Sequence, residues 1–338
     1  EHDRGYTNFH FEVAADLLDE EELELICSMR PGLIQLEIGV QSTNERTIQE
    51  IRRTMDFSKV AGVVGRIRAA GNIHQHLDLI AGLPFEDYES FRKSFCDVYA
   101  LCPEQLQLGF LKVLKGALME EKAAEYELRY QDGPPYEVLS TKWLSYADVI
   151  RLKRIEEMVE VYYNSGQFVH TMKLLEHEFD DAFCMYEALA KYYKEHEHFA
   201  VNHTRIARYE LLYAFILERM KVSERMQAQF EKREGEAAVF RGADGYRQML
   251  VYDLYLRENV KNRPAFAGEE TVTKEEAARI YDQEAKEHKL LAGYEAYDKR
   301  QLRKMTHLER INGELLLFDY QNRDVLTRQA RVCRVDGM

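Results

Sequence analysis

Over roughly the first 112 residues, four short β-like runs alternate with amphipathic helical patterns, and each run carries polar residues along one face. The runs are FHFEVAA around Glu12, LIQLEIGVQ around Gln41, HQHLDLIAGL around Asp78 and QLQLGFLKV around Gln107. Strand and helix in strict succession is the pattern of βα units that build a parallel sheet. Side chains alternate along a strand, so Asp78 shares a face with His76 and His74, Gln41 with Gly39, Glu37 and Gln35, Glu12 with His10, and Gln107 with Gln105 and Gly109. The other face is apolar and is expected to lie beneath the helices. An open doubly wound sheet is apolar on both faces. A (β/α) barrel with a wet interior accounts for the difference, and in such barrels the reacting groups sit at the C-terminal ends of the strands, where Gln41 and Asp78 fall. Two readings stay open: a ligand cavity, or a structural network in which these groups satisfy one another around buried water. Polar groups recurring in four strands are costly to bury without a purpose, which favours the cavity.

The helices between the runs carry their own punctuation. Ser58 is the expected cap of a helix with Val60, Val63, Val64, Ile67 and Ala70 on its apolar stripe, and Gly71 stands where a left-handed C-terminal residue is wanted. Phe91, Phe95, Val98 and Leu101 form the next stripe, which Pro103 ends. Beyond the fourth run, a turn at Gly133, Pro134 and Pro135 leads into one more β-like run, YEVLSTKWLS. Ser145 and Asp148 then begin a capping box for a helix burying Val149, Leu152, Ile155, Val159 and Tyr162, closed by Asn164, Ser165 and Gly166. From about Gln167 the chain reads as Tyr-, Glu- and Lys-rich helices, one of them through Leu211, Leu212, Phe215 and Ile216. The tail LLLFDYQNRDVLTRQARVCRV reads as a β-hairpin turning near Asn322 and Arg323. The expected organisation is thus α/β: part of a barrel over residues 1–143, then a mainly helical domain over 144–338 with a terminal hairpin.

The 338 residues, 46% hydrophobic and 31% charged, suffice for two cores. A net charge of −13 argues against a broad nucleic-acid surface, which needs a basic stripe, and leaves a small molecule or a protein as the partner. No apolar run is long enough to span a bilayer and no signal-like segment opens the chain, so no membrane role is expected and the cytoplasm is the default. Cys27, Cys96, Cys102, Cys184 and Cys333 are scattered, as reduced thiols are, and make no metal motif. The chain opens on Glu1 and runs almost at once into a strand, as though entered midway through a domain, and an edge strand there needs a cover.

LEIGVQSTNERTIQEIRR resembles the fourth-strand segment of radical S-adenosylmethionine (radical SAM) enzymes of the coproporphyrinogen-oxidase and cobalamin-dependent groups, and HLDLIAGLPFEDYESF resembles their fifth-strand segment. Arg53 lies twelve positions after Gln41 and twenty-five before Asp78, a spacing similar to that of anaerobic coproporphyrinogen oxidases. The resemblance implies that Gln41 and Asp78 hold the ribose hydroxyls of S-adenosylmethionine, that Arg53 holds its carboxylate, and that Glu12 holds its amino group. A carboxylate and an amide suit vicinal hydroxyls, and a guanidinium suits a carboxylate. FHFEVAADLL, IHQHLDLIAGLPFEDYESF and PEQLQLGFLKVLKG resemble a closer group, radical SAM proteins with a cobalamin-binding domain, some of them like anaerobic magnesium-protoporphyrin ester cyclases. The implied activity of the complete protein is reductive cleavage of S-adenosylmethionine to a 5′-deoxyadenosyl radical that acts on a small-molecule substrate, with a reductant protein such as flavodoxin or ferredoxin. The implied cofactors are S-adenosylmethionine, a [4Fe-4S] cluster and, in the closer group, cobalamin. His10, Glu37, His74, His76 and Gln107 are the residues expected to face substrate, while the catalytic residue itself is not identified.

The chain departs from the family in one respect: it has no C-x-x-x-C-x-x-C, and Cys96 and Cys102, in an expected helix, are separated by five residues. Three thiolates must converge on the cluster. The first barrel strands, the cluster loop and any cobalamin domain are therefore expected to precede Glu1. A second reading is a cluster-free, non-catalytic binding or scaffolding relative. A third is a barrel aldolase or hydrolase using Glu37 and Asp78 as acid and base, which leaves the G-V-Q and G-L-P segments unexplained. Lys112 and Lys115 stand where they could approach a substrate anion.

Overall fold

A computed structural model describes residues 3–227 and 242–335. The chain divides into two compact units, residues 1–166 with 178–195, and residues 167–177 with 196–338. Residues 144–166 and 178–195, expected in the second domain, thus belong to the first unit.

In the first unit, β1 (Phe9–Val13), α1 (Glu20–Ser28), β2 (Ile34–Gln41), α2 (Glu45–Glu50), α3 (Phe57–Ala70), β3 (His74–Ala81), α4 (Tyr88–Tyr99) and β4 (Gln105–Phe110) follow one another. The four strands form one parallel sheet in sequence order, all four where the sequence expected them. This arc is consistent with part of a (β/α) barrel, and no closure is seen among the described residues.

On β2, Ile34, Leu36, Ile38 and Val40 are buried while Gln35, Glu37, Gly39 and Gln41 remain half-exposed, a clean period of two. Fully burying each of these aliphatic side chains is worth roughly 2 kcal/mol. Gln75, on the apolar face of β3, donates from Nε2 to the Val64 carbonyl of α3, which identifies that face as the one under the helices. Val60, Val63, Val64 and Ile67 are buried on α3, but Ala70 is exposed because it falls in the last turn. The cap of α3 is Asp56, not Ser58: the Asp56 carboxylate accepts the Ser58 and Lys59 N–H groups, two residues earlier than the apolar pattern suggested. Gly71 does end α3 in the left-handed conformation. On α4, Phe91, Phe95 and Val98 are buried, whereas Leu101 lies past the helix end and is only half-buried. The apolar face of β1 departs from expectation, since Phe9 and Phe11 are each 49% exposed.

After α5 (Leu118–Glu121), the run YEVLSTKWLS supplies only a short strand. β5 (Arg129–Tyr130) pairs antiparallel with β6 (Val138–Ser140), and the Thr141 hydroxyl accepts the Trp143 and Leu144 N–H groups, turning the chain out of the ladder. α6 (Tyr146–Val159) begins with the expected Ser145–Asp148 capping box and buries the expected stripe. Its final turn widens, and Asn164 there takes over the free edge of β4: its side-chain amide accepts from Leu106 N–H and donates to Leu106 C=O, both at 2.9 Å. One side chain thus stands in for a missing strand on this edge.

The second unit contains α7 (Val169–Glu176), while α8 (Ala182–Glu195) packs in the first unit beside α4 and α6. α9 (Arg205–Gln227), α10 (Ala243–Arg257), α11 (Lys274–Glu287) and α12 (Lys299–Met305) follow in the second unit, and Leu212, Phe215 and Ile216 of α9 are buried as expected. The tail is a three-stranded antiparallel sheet, β7 (Thr306–Ile311), β8 (Glu314–Asp319) and β9 (Arg331–Arg334). The tight hairpin is β7–β8, turning at Asn312 and Gly313, both with positive φ, while β8 and β9 are joined through a longer loop instead of a turn at Asn322 and Arg323. Asn-Gly is the strongest short hairpin signal, and the reading placed the turn one strand too late.

The first turn of α7 has no cap of its own. Buried Asp253 of α10 supplies it, accepting from the His170 N–H at 3.1 Å and the Thr171 N–H at 2.8 Å, with His170 Nδ1 a further 2.8 Å contact. Asp253→Ala strands these donors and is expected to destabilise the second unit by about 3 kcal/mol. Urea titration combined with hydrogen exchange at α7 measures this, and unchanged protection at Thr171 would show that the cap carries no weight.

Candidate functional site

At the C-terminal ends of β1, β2 and β3, a cleft of about 330 Å³ is lined by Glu12, Val13, Ala14, Glu37, Gly39, Gln41, Arg53 and Asp78. The strand register explains how distant residues meet. Glu12 lies opposite Glu37 and Glu37 opposite His76, while Gly39 lies opposite Asp78 and Asp78 opposite Gln107.

β2 ends abnormally. Gln41 has φ +70, the Ser42 N–H closes back on the Val40 carbonyl at 2.9 Å, and the register with β3 slips between Gly39 and Gln41. A non-glycine residue in this conformation is strained by roughly 1–3 kcal/mol, which persists only when the surroundings impose it. They do so through Ser42. Its hydroxyl donates to Glu86 at 2.6 Å, Ser94 donates to the same Glu86 oxygen at 2.9 Å, and the Thr43 N–H donates to Ser94. Asn44 adds hydrogen bonds to the Phe85 carbonyl and the Ser90 hydroxyl. The segment after β2 is thereby clamped to the segment after β3.

The result is that the Gln41 amide folds back over Gly39. A Cβ on Gly39 would lie 2.3 Å from Gln41 Nε2, so a larger residue there would displace the Gln41 amide, while Arg53 Nη2 at 3.5 Å would be in ordinary contact. Arg53 donates from Nη2 to the Gly39 carbonyl at 2.5 Å, and Gln41 Oε1 is buried without a hydrogen-bond donor. The cleft therefore offers a guanidinium for an anionic group, and carboxylates with an unsatisfied amide oxygen for hydroxyl or ammonium groups.

Deeper in the sheet, His76 is buried with Nε2 2.8 Å from Asp78 Oδ1, yet the two are misaligned and neither completes a hydrogen bond. His76 Nδ1 is 3.9 Å from Glu37 Oε2, and exposed His10 places Nε2 3.0 Å from the same oxygen. Burial raises the Glu37 carboxyl above its ordinary range, and neighbouring Asp78 adds to this. Burial alone would lower His76, but Asp78 and Glu37 outweigh it and the imidazole is raised. Half-buried His74 is lowered, first by burial and then by the neighbouring histidines.

Glu12, Gln41, Arg53 and Asp78 thus line one cleft. Of the residues expected to face substrate, Glu37 joins them there, while His10 and His76 lie beside Glu37 and neither His74 nor exposed Gln107 lines the cleft. Lys112 and Lys115 are exposed and also lie outside it. The sequence reading missed Ser42, Glu86 and Ser94 as the clamp. Glu86, placed directly after the apolar GLPF run, was the available signal. The cysteines are all free, and among the described residues none belongs to a cluster of three ligating groups.

A family model described as "Protein of unknown function (DUF4080)" matches residues 124–332. The chain belongs to the DUF4080 family. This DUF4080 protein is also 31% identical, over 107 residues, to the oxygen-independent coproporphyrinogen III oxidases of Salmonella typhimurium and Salmonella typhi, a stretch covering 30% of the chain and 23% of each oxidase. It therefore spans about a quarter of the length of these curated relatives. The solved structure of coproporphyrinogen III oxidase (HemN) from Escherichia coli, a radical SAM enzyme, is similar at 20% identity with a TM-score of 0.32, covering 43% of this chain and 30% of that one. The sequence similarity to the oxidases is confined to that stretch of 107 residues. Among the described residues no helix is long and apolar enough to cross a membrane.

Glu86 supplies a test of the clamp. It is 1% exposed and makes no ion pair among the described residues, and burial pushes its carboxyl up to about 7 against the opposing hydrogen bonds from Ser42 and Ser94. Because the folded value lies above the unfolded one, its stabilising effect is complete below pH ~4.5 and is lost as the pH rises through about 7. A shift of this size corresponds to roughly 3 kcal/mol. Urea midpoints of the native protein are expected to fall between pH 5 and pH 8 relative to Glu86→Gln, and parallel profiles would show that Glu86 is ionised throughout.

Proposed function

We propose that this DUF4080 protein is part of a radical SAM enzyme and that the cleft at the ends of β1–β3 holds S-adenosylmethionine. The observation that carries this reading is the convergence of Glu12, Gln41, Arg53 and Asp78, up to 66 positions apart, on one cavity of about 330 Å³. That volume lies in the range of small-molecule sites. The residues present fit the ligand. Buried Gln41 Oε1 lacks a donor that a ribose hydroxyl provides, Asp78 accepts the neighbouring hydroxyl, Arg53 meets the methionyl carboxylate and Glu12 meets the ammonium.

S-adenosylmethionine and an iron–sulfur cluster together supply one-electron, hydrogen-abstracting chemistry. The cysteines of this chain do not fit the cluster, so in this reading its ligands belong to residues beyond this chain, as does any cobalamin site. The part played by this chain is placement. Arg53 and the strained Gln41 turn hold the amino-acid end and the ribose in fixed relation, and Glu37, His10 and His76 stand at the side where a small-molecule substrate would approach. A flavodoxin- or ferredoxin-like reductant is the protein partner this chemistry calls for.

Calorimetric titration with S-adenosylmethionine tests the assignment. Gln41→Ala and Asp78→Ala are each expected to weaken binding about tenfold or more, a loss of about 1.4 kcal/mol or greater. Equal affinity in the native protein and both variants, with folding intact by circular dichroism, would remove the basis for the site.

A further inference from the structure

Glu37, His76 and Asp78 each place one ligating atom such that all three lie within 4.8 Å of one another. Glu37 and His76 are register partners on neighbouring strands, and Asp78 follows two positions later on the same face, so the grouping is set by the sheet and not by flexible surface side chains. We propose that these three residues bind a divalent transition-metal ion, a site separate in chemistry from an iron–sulfur cluster.

By geometry, the hydrogen bonding within this group is incomplete. The His76 side chain is only 7% exposed, and its Nε2 stands 2.8 Å from Asp78 Oδ1 without the alignment of a hydrogen bond. Ligand atoms around a common centre approach one another closely while pointing at that centre. With metal–ligand distances of about 2.0–2.2 Å, such atoms lie about 3 Å apart. Charge points the same way. Two carboxylates meet here with neither making an ion pair to a lysine or arginine among the described residues, and Arg53 directs Nη2 to the Gly39 carbonyl.

One imidazole with two carboxylates suits Zn²⁺, Mn²⁺ or Fe²⁺ better than Mg²⁺ or Ca²⁺, which take oxygen ligands. His10, 3.0 Å from Glu37 Oε2, is placed to orient that carboxylate as an outer partner. Three protein ligands leave positions open for water or substrate, the arrangement of a reactive rather than a structural ion. The proposal stands without the S-adenosylmethionine reading, although both sites use Asp78.

The test is titration of the metal-free chain with Co²⁺, read by ligand-field absorption, followed by displacement with Zn²⁺. One saturable ion per chain is expected, with micromolar or tighter affinity. His76→Ala and Glu37→Gln should each weaken it about tenfold or more, while His74→Ala, on the same sheet face, leaves it unchanged. Circular dichroism establishes that each variant is folded. Absence of a saturable site overturns the proposal, as does a site that survives both His76→Ala and Glu37→Gln, which would move the ion to other histidines such as His196, His198 and His203. Calorimetry with S-adenosylmethionine on His76→Ala, a residue outside the cleft lining, separates the readings, because loss of Co²⁺ binding with the S-adenosylmethionine affinity retained is the result expected if both hold.

Discussion

The left-handed turn at Gln41 is the constraint on which the cleft depends. An extended continuation of β2 would carry the Gln41 side chain onward and leave Arg53 without its seat above Gly39. The turn is uphill for a residue with a Cβ, and its cost is offset where Ser42 is locked to buried Glu86. Ser94 on α4 completes the lock. The segment after β3 therefore determines the backbone at the end of β2, and the cleft is an outcome of both loops together.

A second constraint is the cost of the polar inner face. Carboxylates and imidazoles crowded within a few ångströms disfavour full ionisation, and burial adds to the penalty, as the upward movement of Glu37 shows. His76 stands between the two acids, and Asp78 and Glu37 raise it against the effect of burial. A charge distribution of this kind is held in readiness for a cation or for hydroxyl donors, since either relieves the repulsion that folding has imposed. Sheet stability comes from the opposite face, where Leu36, Ile38, Leu77, Leu79, Leu106 and Leu108 are buried.

The sheet was legible because period-two patterning survives in β2 even where the strand is functional, and because Gly71 and the Ser145–Asp148 pair are local signals that depend on nothing remote. Glu12, Gln41, Arg53 and Asp78, and their meeting around one ligand, could be named through family resemblance; the register slip at Gly39 and the turn that follows it could not. Asp56 displaced Ser58 as a cap because two capping residues stand two positions apart and only the backbone decides between them. The exposure of Phe9 and Phe11 was not legible, because alternation tells which face is apolar but not whether anything covers it. The allotment of α6 and α8 to the first unit is a long-range packing result in which Phe95 of α4 meets Phe183 and Tyr186 of α8.

Family membership and the cleft rest on different stretches of chain. The DUF4080 match begins at residue 124, whereas every residue lining the cleft lies before residue 79. The matched stretch covers nearly all of the second unit, which has its own core of Ile280, Tyr281, Leu291, Tyr294, Leu302, Leu308 and Leu317 and its own buried Asp253 cap. What defines the family in sequence is therefore mostly a separately cored unit, and it carries no information about the chemistry at the ends of β1–β3. The cleft must be judged on Gln41, Arg53, Asp78 and the strained turn that assembles them, so a failure of the cofactor assignment would leave family membership untouched.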